Sequence, residues 1–206
     1  YTDYDTALAR YHSDGSLDTR FGSFTDTVAT NPTFIERGSA VVLAEDAQFF
    51  DVDISRGEDG FSNVDLLLFR NGGSDAQDVF SATGNLSAIN EGGNLALSGT
   101  TIGTVVTNSA GTLNVRFNSV ASQEQVNEVL QAIAYSNNSN TPPASVQIDW
   151  SMEDSNSGDQ GIGGNQYATG STVVNIQPSP DLSITAPATT STNEDVAFVY
   201  AGGNVI

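Results

Sequence analysis

The chain contains no cysteine and no lysine among its 206 residues. The absence of cysteine excludes disulfides, zinc–thiolate sites and thiol catalysis. Six arginines face 25 Asp and Glu residues, which gives a formal net charge of −19. This charge repels the phosphates of nucleic acids and anionic membrane surfaces, so we expect neither as a partner. Because clustered carboxylates repel one another in a compact fold, the composition favours bound divalent cations.

Histidine and long apolar runs are also scarce. His12 is the only histidine and stands apart from every carboxylate cluster, so no base lies beside a nucleophile as a catalytic triad requires. We therefore expect no enzymatic activity. No apolar run reaches the roughly 18 residues that span a bilayer, and no signal-peptide pattern opens the chain. A secreted protein of this kind would carry its signal outside this sequence.

The most informative stretch is residues 144–176, which reads as a strand, an acidic glycine-rich loop and a second strand. In residues 145–152, Val146, Ile148 and Trp150 alternate with polar side chains. This period of two predicts a strand with one face in the core, and it places Trp150 there.

The loop of this hairpin offers Asp154, Asn156 and Asp159 between small residues. Carboxylate and amide oxygens on a pliable backbone are the ligands that calcium prefers. The alternative is a polar turn whose side chains bond to their own backbone.

A second oxygen-rich run covers residues 51–60. It is not an EF-hand, because its glycine falls at position seven and Ser62 stands at position twelve. Alternation along a strand would nevertheless project Asp51 and Asp53 on one side, where they could share an ion. In the alternative interpretation, they are solvent-facing charges beside a buried valine and isoleucine.

The chain favours a mainly β fold, an antiparallel sandwich of short strands separated by turn clusters. One helix interrupts the strands, predicted at about 122–135 with a capping box formed by Ser122 and Gln125. We expect it to cross over as a lid on the sandwich. The predicted strands are 40–43, 48–54, 64–70, 78–81, 95–98, 101–106, 112–118, 145–152 and 171–177.

Three units are predicted along the chain. Residues 24–177 hold the sandwich, and residues 178–206 hold a proline-containing linker followed by strand-like segments that would begin another domain. Residues 1–23 form a separate unit, and their pattern ALARYHSDGSLDTRFG resembles the short delta-60 repeat of bacterial proteins. They would be the end of such an array.

The central region resembles the bacterial cadherin-like repeats of giant calcium-dependent surface proteins and adhesins. The resemblance rests on TFIERGSAVVLAEDAQFFDVDI, RNGGSDAQDVFSATGNL, LALSGTTIGTVVTNSAGTLNVRFN, QVNEVLQAIAYSNNS and PPASVQIDWSMEDSNSGDQGIGG, in this order. It implies an immunoglobulin-like sandwich, tandem repetition, and Ca²⁺ bound at domain edges and linkers. One departure is that Glu153-Asp154-Ser155-Asn156 replaces the Asp-Gly-Asn type of loop, so the tight glycine turn is lost.

The resemblance also implies further calcium ligands. An early glutamate, here Glu36, commonly joins a calcium cluster in such modules, although a local pair with Arg37 is the alternative. Asp181 and Glu194 flank the linker and could complete a site between domains.

We therefore expect a calcium-stiffened structural or adhesive module of a bacterial surface protein, located outside the cell. Its partners would be neighbouring repeats or like subunits, and cell-surface or matrix glycans. Two alternatives remain open. The chain is a filament or surface-layer subunit joined by strand exchange through its terminal segments, or it is a carbohydrate-binding module with an exposed aromatic patch.

Overall fold

Ten strands and one helix form the part of the chain that the structure, a computed structural model, describes: residues 31–49, 60–153 and 167–179. In chain order they are β1 (Thr33–Ile35), β2 (Val41–Val42), β3 (Asp65–Arg70), β4 (Asp78–Ala82), β5 (Asn94–Leu97), β6 (Thr100–Ser109), β7 (Thr112–Phe117), α1 (Gln123–Ala132), β8 (Ile133–Asn137), β9 (Ser145–Glu153) and β10 (Tyr167–Gln177).

The strands form two sheets. A seven-stranded sheet has the order β1-β10-β9-β3-β7-β6-β5, and a three-stranded sheet has the order β2-β8-β4. The predicted mainly β sandwich is therefore confirmed. One pairing departs from the antiparallel expectation, because β1 runs parallel to β10. A parallel pair needs a long connection, and here the whole domain lies between the two strands.

The core lies between the sheets and is filled by alternating side chains. Trp150 is 1% exposed, and its indole nitrogen donates a hydrogen bond of 3.1 Å to the Thr172 hydroxyl. Across the sandwich, the rings of Phe34 and Tyr135 meet edge to face with centroids 6.2 Å apart. The predicted core position of Trp150 is confirmed, and its N–H has the partner that a buried indole requires.

The helix carries the chain from one sheet to the other. The predicted capping box is present: the Ser122 hydroxyl accepts from the Gln125 N–H at 3.2 Å, and the Gln125 side chain accepts from the Ser122 N–H at 3.0 Å. Val126, Val129 and Leu130 are fully buried. Since α1 follows β7 and leads directly into β8, the predicted crossover is confirmed.

The predicted C-terminal end of the helix was wrong. Residues Ile133–Asn137 form β8, the central strand of the small sheet, with β2 on one side and β4 on the other. Backbone pairing on both edges and burial of β-favouring side chains outweigh the helical spacing of Ile133. None of the helical segments within residues 31–49, 60–153 and 167–179 has the length and hydrophobicity of a membrane span.

Most predicted strands correspond to observed ones, and two observed strands were missed. β1 has only three residues, too few to show a period, and β8 was hidden in the predicted helix. The predicted strand 48–54 falls mainly outside the described residues.

Candidate functional site

Glu36 is the one predicted calcium ligand that lies within the described residues. The other predictions remain predictions, because the remaining ligands lie outside those ranges: Asp51, Asp53, Asp154, Asn156, Asp159, Asp181 and Glu194. The predicted terminal strands within 1–23 and 182–206, on which strand exchange would depend, also lie outside them.

A tight turn at the end of β1 positions Glu36. The Gly38 N–H donates to the Ile35 carbonyl at 2.7 Å, so Glu36 and Arg37 are the two central residues of a β-turn. Arg37 takes a left-handed conformation with φ of 60°. A Cβ on Gly38 would lie 2.8 Å from the Ile35 carbonyl oxygen, which explains the glycine at that position.

The Glu36 carboxylate is buried where the chain leaves the sandwich. The residue is only 8% exposed, and its N–H donates to the Gln177 carbonyl at 2.9 Å. One carboxylate oxygen accepts from the Ser179 N–H at 3.3 Å, and the other lies 3.6 Å from the guanidinium of Arg37, whose side chain is 64% exposed. The local pair with Arg37 is therefore present, but both contacts are long. Glu36 touches the first residues of the predicted linker.

The strand residues that border 154–166, Glu153 and Tyr167, lie at the end of the sheet opposite Glu36. Ser145 pairs with Asn175 near Glu36, whereas Glu153 pairs with Tyr167 at the far end. Glu153 lies eight positions after Ser145 on the same strand, a span of roughly 27 Å at the usual rise per residue. Glu36 therefore belongs with the linker and not with the residues that begin the hairpin loop.

An ion pair stands at this far end of the sheet. Arg116 and Asp65 are cross-strand partners, and the guanidinium donates two hydrogen bonds to the carboxylate at 2.8 and 2.7 Å. The hydrogen bond to Asp65 is the main cause that raises the pKa of Arg116. Asp65 is also the cross-strand partner of Glu153, so two carboxylates and one arginine lie where the loop starts.

A buried polar cluster links the two sheets, and sequence reasoning missed it. Asp78 accepts two hydrogen bonds from Arg70 at 2.8 and 2.7 Å, one from the Tyr135 hydroxyl at 2.6 Å and one from the Asn137 amide at 2.9 Å. The Asp78 side chain has no exposed surface. Arg70 comes from the large sheet, whereas the other three residues come from the small one.

The Asp78 cluster raises the pKa of two of its members. The hydrogen bond with Asp78 raises the pKa of Arg70, and burial, followed by the bond to Asp78, raises the pKa of Tyr135. The signal in the sequence was the phase of Asp78, which stands two residues before Phe80 and therefore shares its inward face. A charged residue at an inward position indicates a buried pair. The geometry is that of a structural clamp.

Within 31–49, 60–153 and 167–179, no three Asp, Glu, His or Cys side chains are grouped so that they could hold a metal ion. Comparisons with protein-family models, with curated proteins and with solved structures each found no match. The cadherin-like resemblance therefore stays a prediction from the residues.

Proposed function

We propose that this chain is a calcium-stabilised extracellular module of a repetitive bacterial surface protein, with a structural or adhesive role. The observation that carries the proposal is the position of Glu36. Its carboxylate is almost fully buried against Ser179, at the start of the acidic linker, and among the described residues it has two contacts, both of them long. A buried carboxylate with so few donors is costly unless a cation compensates it.

The charge of the molecule supports the same conclusion. The described residues contain eleven carboxylates and three arginines, and each arginine already pairs with at least one carboxylate. In the whole chain, six arginines cannot neutralise 25 acids. Oxygen ligands at Glu36 and along the linker, with Asp181 and Glu194 as candidates, suit Ca²⁺, which accepts six to eight oxygens in flexible geometry.

The proposed mechanism is electrostatic. An ion shared by Glu36 and the linker would replace repulsion between carboxylates with attraction to a common cation. It would fix the linker against the sandwich and hold the following segment at a defined angle. Two further candidate sites, one with Asp51 and Asp53 and the other with Asp154, Asn156 and Asp159, would act in the same way elsewhere on the module. A row of such modules would become a stiff rod.

Thermal unfolding of the 206-residue chain in calcium and in EGTA tests this function. Because an ion that binds only the folded form stabilises it by mass action, the midpoint temperature should rise with calcium. At a hundred times Kd, the corresponding gain in the free energy of unfolding is about 2.7 kcal/mol. Magnesium at equal concentration and ionic strength is the control, and it should give a smaller rise because Mg²⁺ sheds its water reluctantly. Equal midpoints in calcium and EGTA contradict the proposal.

A further inference from the structure

A groove of about 610 Å³ crosses the outer face of the seven-stranded sheet, over β3, β9 and β10. Its shape follows from the strand register. Phe69, Asp149 and Ser171 lie side by side on the three strands, as do Leu67, Ser151 and Thr169 in the next row. Bulky side chains on β3 therefore face small hydroxyl side chains on β10. The volume lies within the range of about 300–1,000 Å³ that small-molecule sites occupy.

One wall of the groove carries a prearranged polar group. The two carboxylate oxygens of Asp149 accept hydrogen bonds from the side-chain amides of Asn71 and Gln147, each at 2.8 Å. An ionised carboxylate has about four acceptor positions, so both oxygens keep acceptor capacity. The amides hold the carboxylate in one orientation, as specific recognition requires. Asp149 is partly exposed and faces the groove.

The opposite wall is apolar. Phe69 is partly exposed on the outer face, directly across the ladder from Asp149, and Leu67 lies next to it on the same strand. The groove thus presents an aromatic ring, a fixed carboxylate and several hydroxyls on three adjacent strands. This combination matches a ligand with one apolar face and a rim of hydroxyl groups.

We propose that this groove binds a neutral carbohydrate, with a sugar ring packed against Phe69 and its hydroxyls bonded to Asp149. Among the described residues that line the groove there is no lysine, arginine or histidine, and the chain has a net charge of −19, so an anionic ligand is disfavoured. A peptide that adds a strand needs a free sheet edge. Here β9 is paired on both sides, so its backbone is already bonded.

This binding function is separate from the proposed calcium function, since the groove contacts require no ion. The test is isothermal titration of the 206-residue chain with maltohexaose, cellohexaose, mannohexaose and xylohexaose, and with a galacturonic acid hexamer as the anionic probe. Running it in EGTA and again in calcium distinguishes the two proposals, because loss of the calcium effect leaves sugar binding in EGTA intact.

A matched pair of variants locates the site. Ser171→Tyr places a ring in the groove, whereas Asn175→Tyr places the same ring on the same exposed face of β10 but outside the groove. Tyrosine is favoured in strands, and both positions are exposed, so both variants should fold. Thermal unfolding verifies this.

The expected result is binding of at least one neutral hexasaccharide, weakened by about tenfold or more in Ser171→Tyr and unchanged in Asn175→Tyr. Asp149→Asn should also weaken binding, whereas Asp65→Asn, on the same sheet face outside the groove, should not. The proposal is overturned if none of the four neutral sugars binds, if the uronic acid hexamer binds more tightly, or if both tyrosine variants bind alike.

Discussion

Asp78 and Glu36 are both buried carboxylates, yet the protein holds them in different ways. Asp78 receives four hydrogen bonds of 2.6–2.9 Å from three side chains. Glu36 receives one backbone N–H at 3.3 Å and lies 3.6 Å from an exposed arginine. The comparison separates a carboxylate that the chain itself satisfies from one that retains capacity for an external cation. The first type stabilises the fold, and the second is a candidate for function.

Position explains this difference. Asp78 lies between two sheets, where β3 and β8 can supply donors from opposite layers. Glu36 lies at an edge, on a turn that follows a three-residue strand, and its described contacts come from Arg37 and from the chain just after β10. A buried charge needs partners on several sides, and the edge offers few.

The largest expected effect is at Asp78. Asp78→Ala should lower the free energy of unfolding by about 3–5 kcal/mol, because it removes the buried acceptor shared by Arg70 and two neutral donors. Urea unfolding in EGTA measures it. Asp75→Asn is the matched control, since Asp75 pairs with the same arginine at 3.0 Å but is 40% exposed, and it should cost less than about 1 kcal/mol. Equal losses in the two variants would contradict the proposed stabilising role of Asp78.

Glu36 should behave in the opposite way. In EGTA, Glu36→Gln should change stability by less than about 1 kcal/mol, since its contacts are long and its ion partner is exposed. In calcium, the same variant should lose most of the roughly 2.7 kcal/mol gained by the natural chain at a hundred times Kd. Thermal unfolding in both buffers measures the difference. A full calcium gain in Glu36→Gln would place the ion elsewhere.

The Asp78 cluster should also respond to alkaline pH through Tyr135. Burial, followed by the bond to Asp78, raises the pKa of this phenol in the folded chain above its ordinary value of 10. Below pH 10 the phenol is protonated in both the folded and unfolded states, and its contribution is complete. Above it, the unfolded chain binds fewer protons than the folded one, so stability should fall by up to about 1.4 kcal/mol per pH unit.

Urea unfolding between pH 9 and pH 11 measures this slope. Tyr135→Phe is the control, and it should be less stable at neutral pH by about 1 kcal/mol, the usual contribution of one hydrogen bond. Its slope above pH 10 should be shallower than that of the natural chain. Parallel slopes would show that other tyrosines cause the alkaline loss.

The sequence predicts the repetitive parts of this fold well, because period-two alternation in β9 and the capping box at Ser122 are local signals. It fails where the deciding interactions are distant. β8 is a strand because it pairs with β2 and β4. The helical spacing of the apolar residues near Ile133 gives no information about these neighbours. The Asp78 cluster likewise joins residues 57 and 59 positions apart. Glu36 was predicted through a family resemblance, and the residue that it contacts, Ser179, is 143 positions further along the chain.

The smallest expected effect is at Asp65, because its ion pair is partly exposed. Asp65 and Arg116 form a two-bond pair, as Asp78 and Arg70 do, but the Arg116 side chain is 50% exposed. Water already solvates the Arg116 guanidinium, so Asp65→Asn should cost only about 0.2–1 kcal/mol. The cost should shrink further in 1 M NaCl, where the screening length falls to about 3 Å. Asp78→Ala should keep its large cost in the same salt, because no solvent reaches that carboxylate.

Urea unfolding of both variants at low and high salt therefore tests whether burial, and not pairing geometry, sets the strength of the two pairs. If the loss at Asp65 is as large and as resistant to salt as the loss at Asp78, then burial does not set the strength of the two pairs.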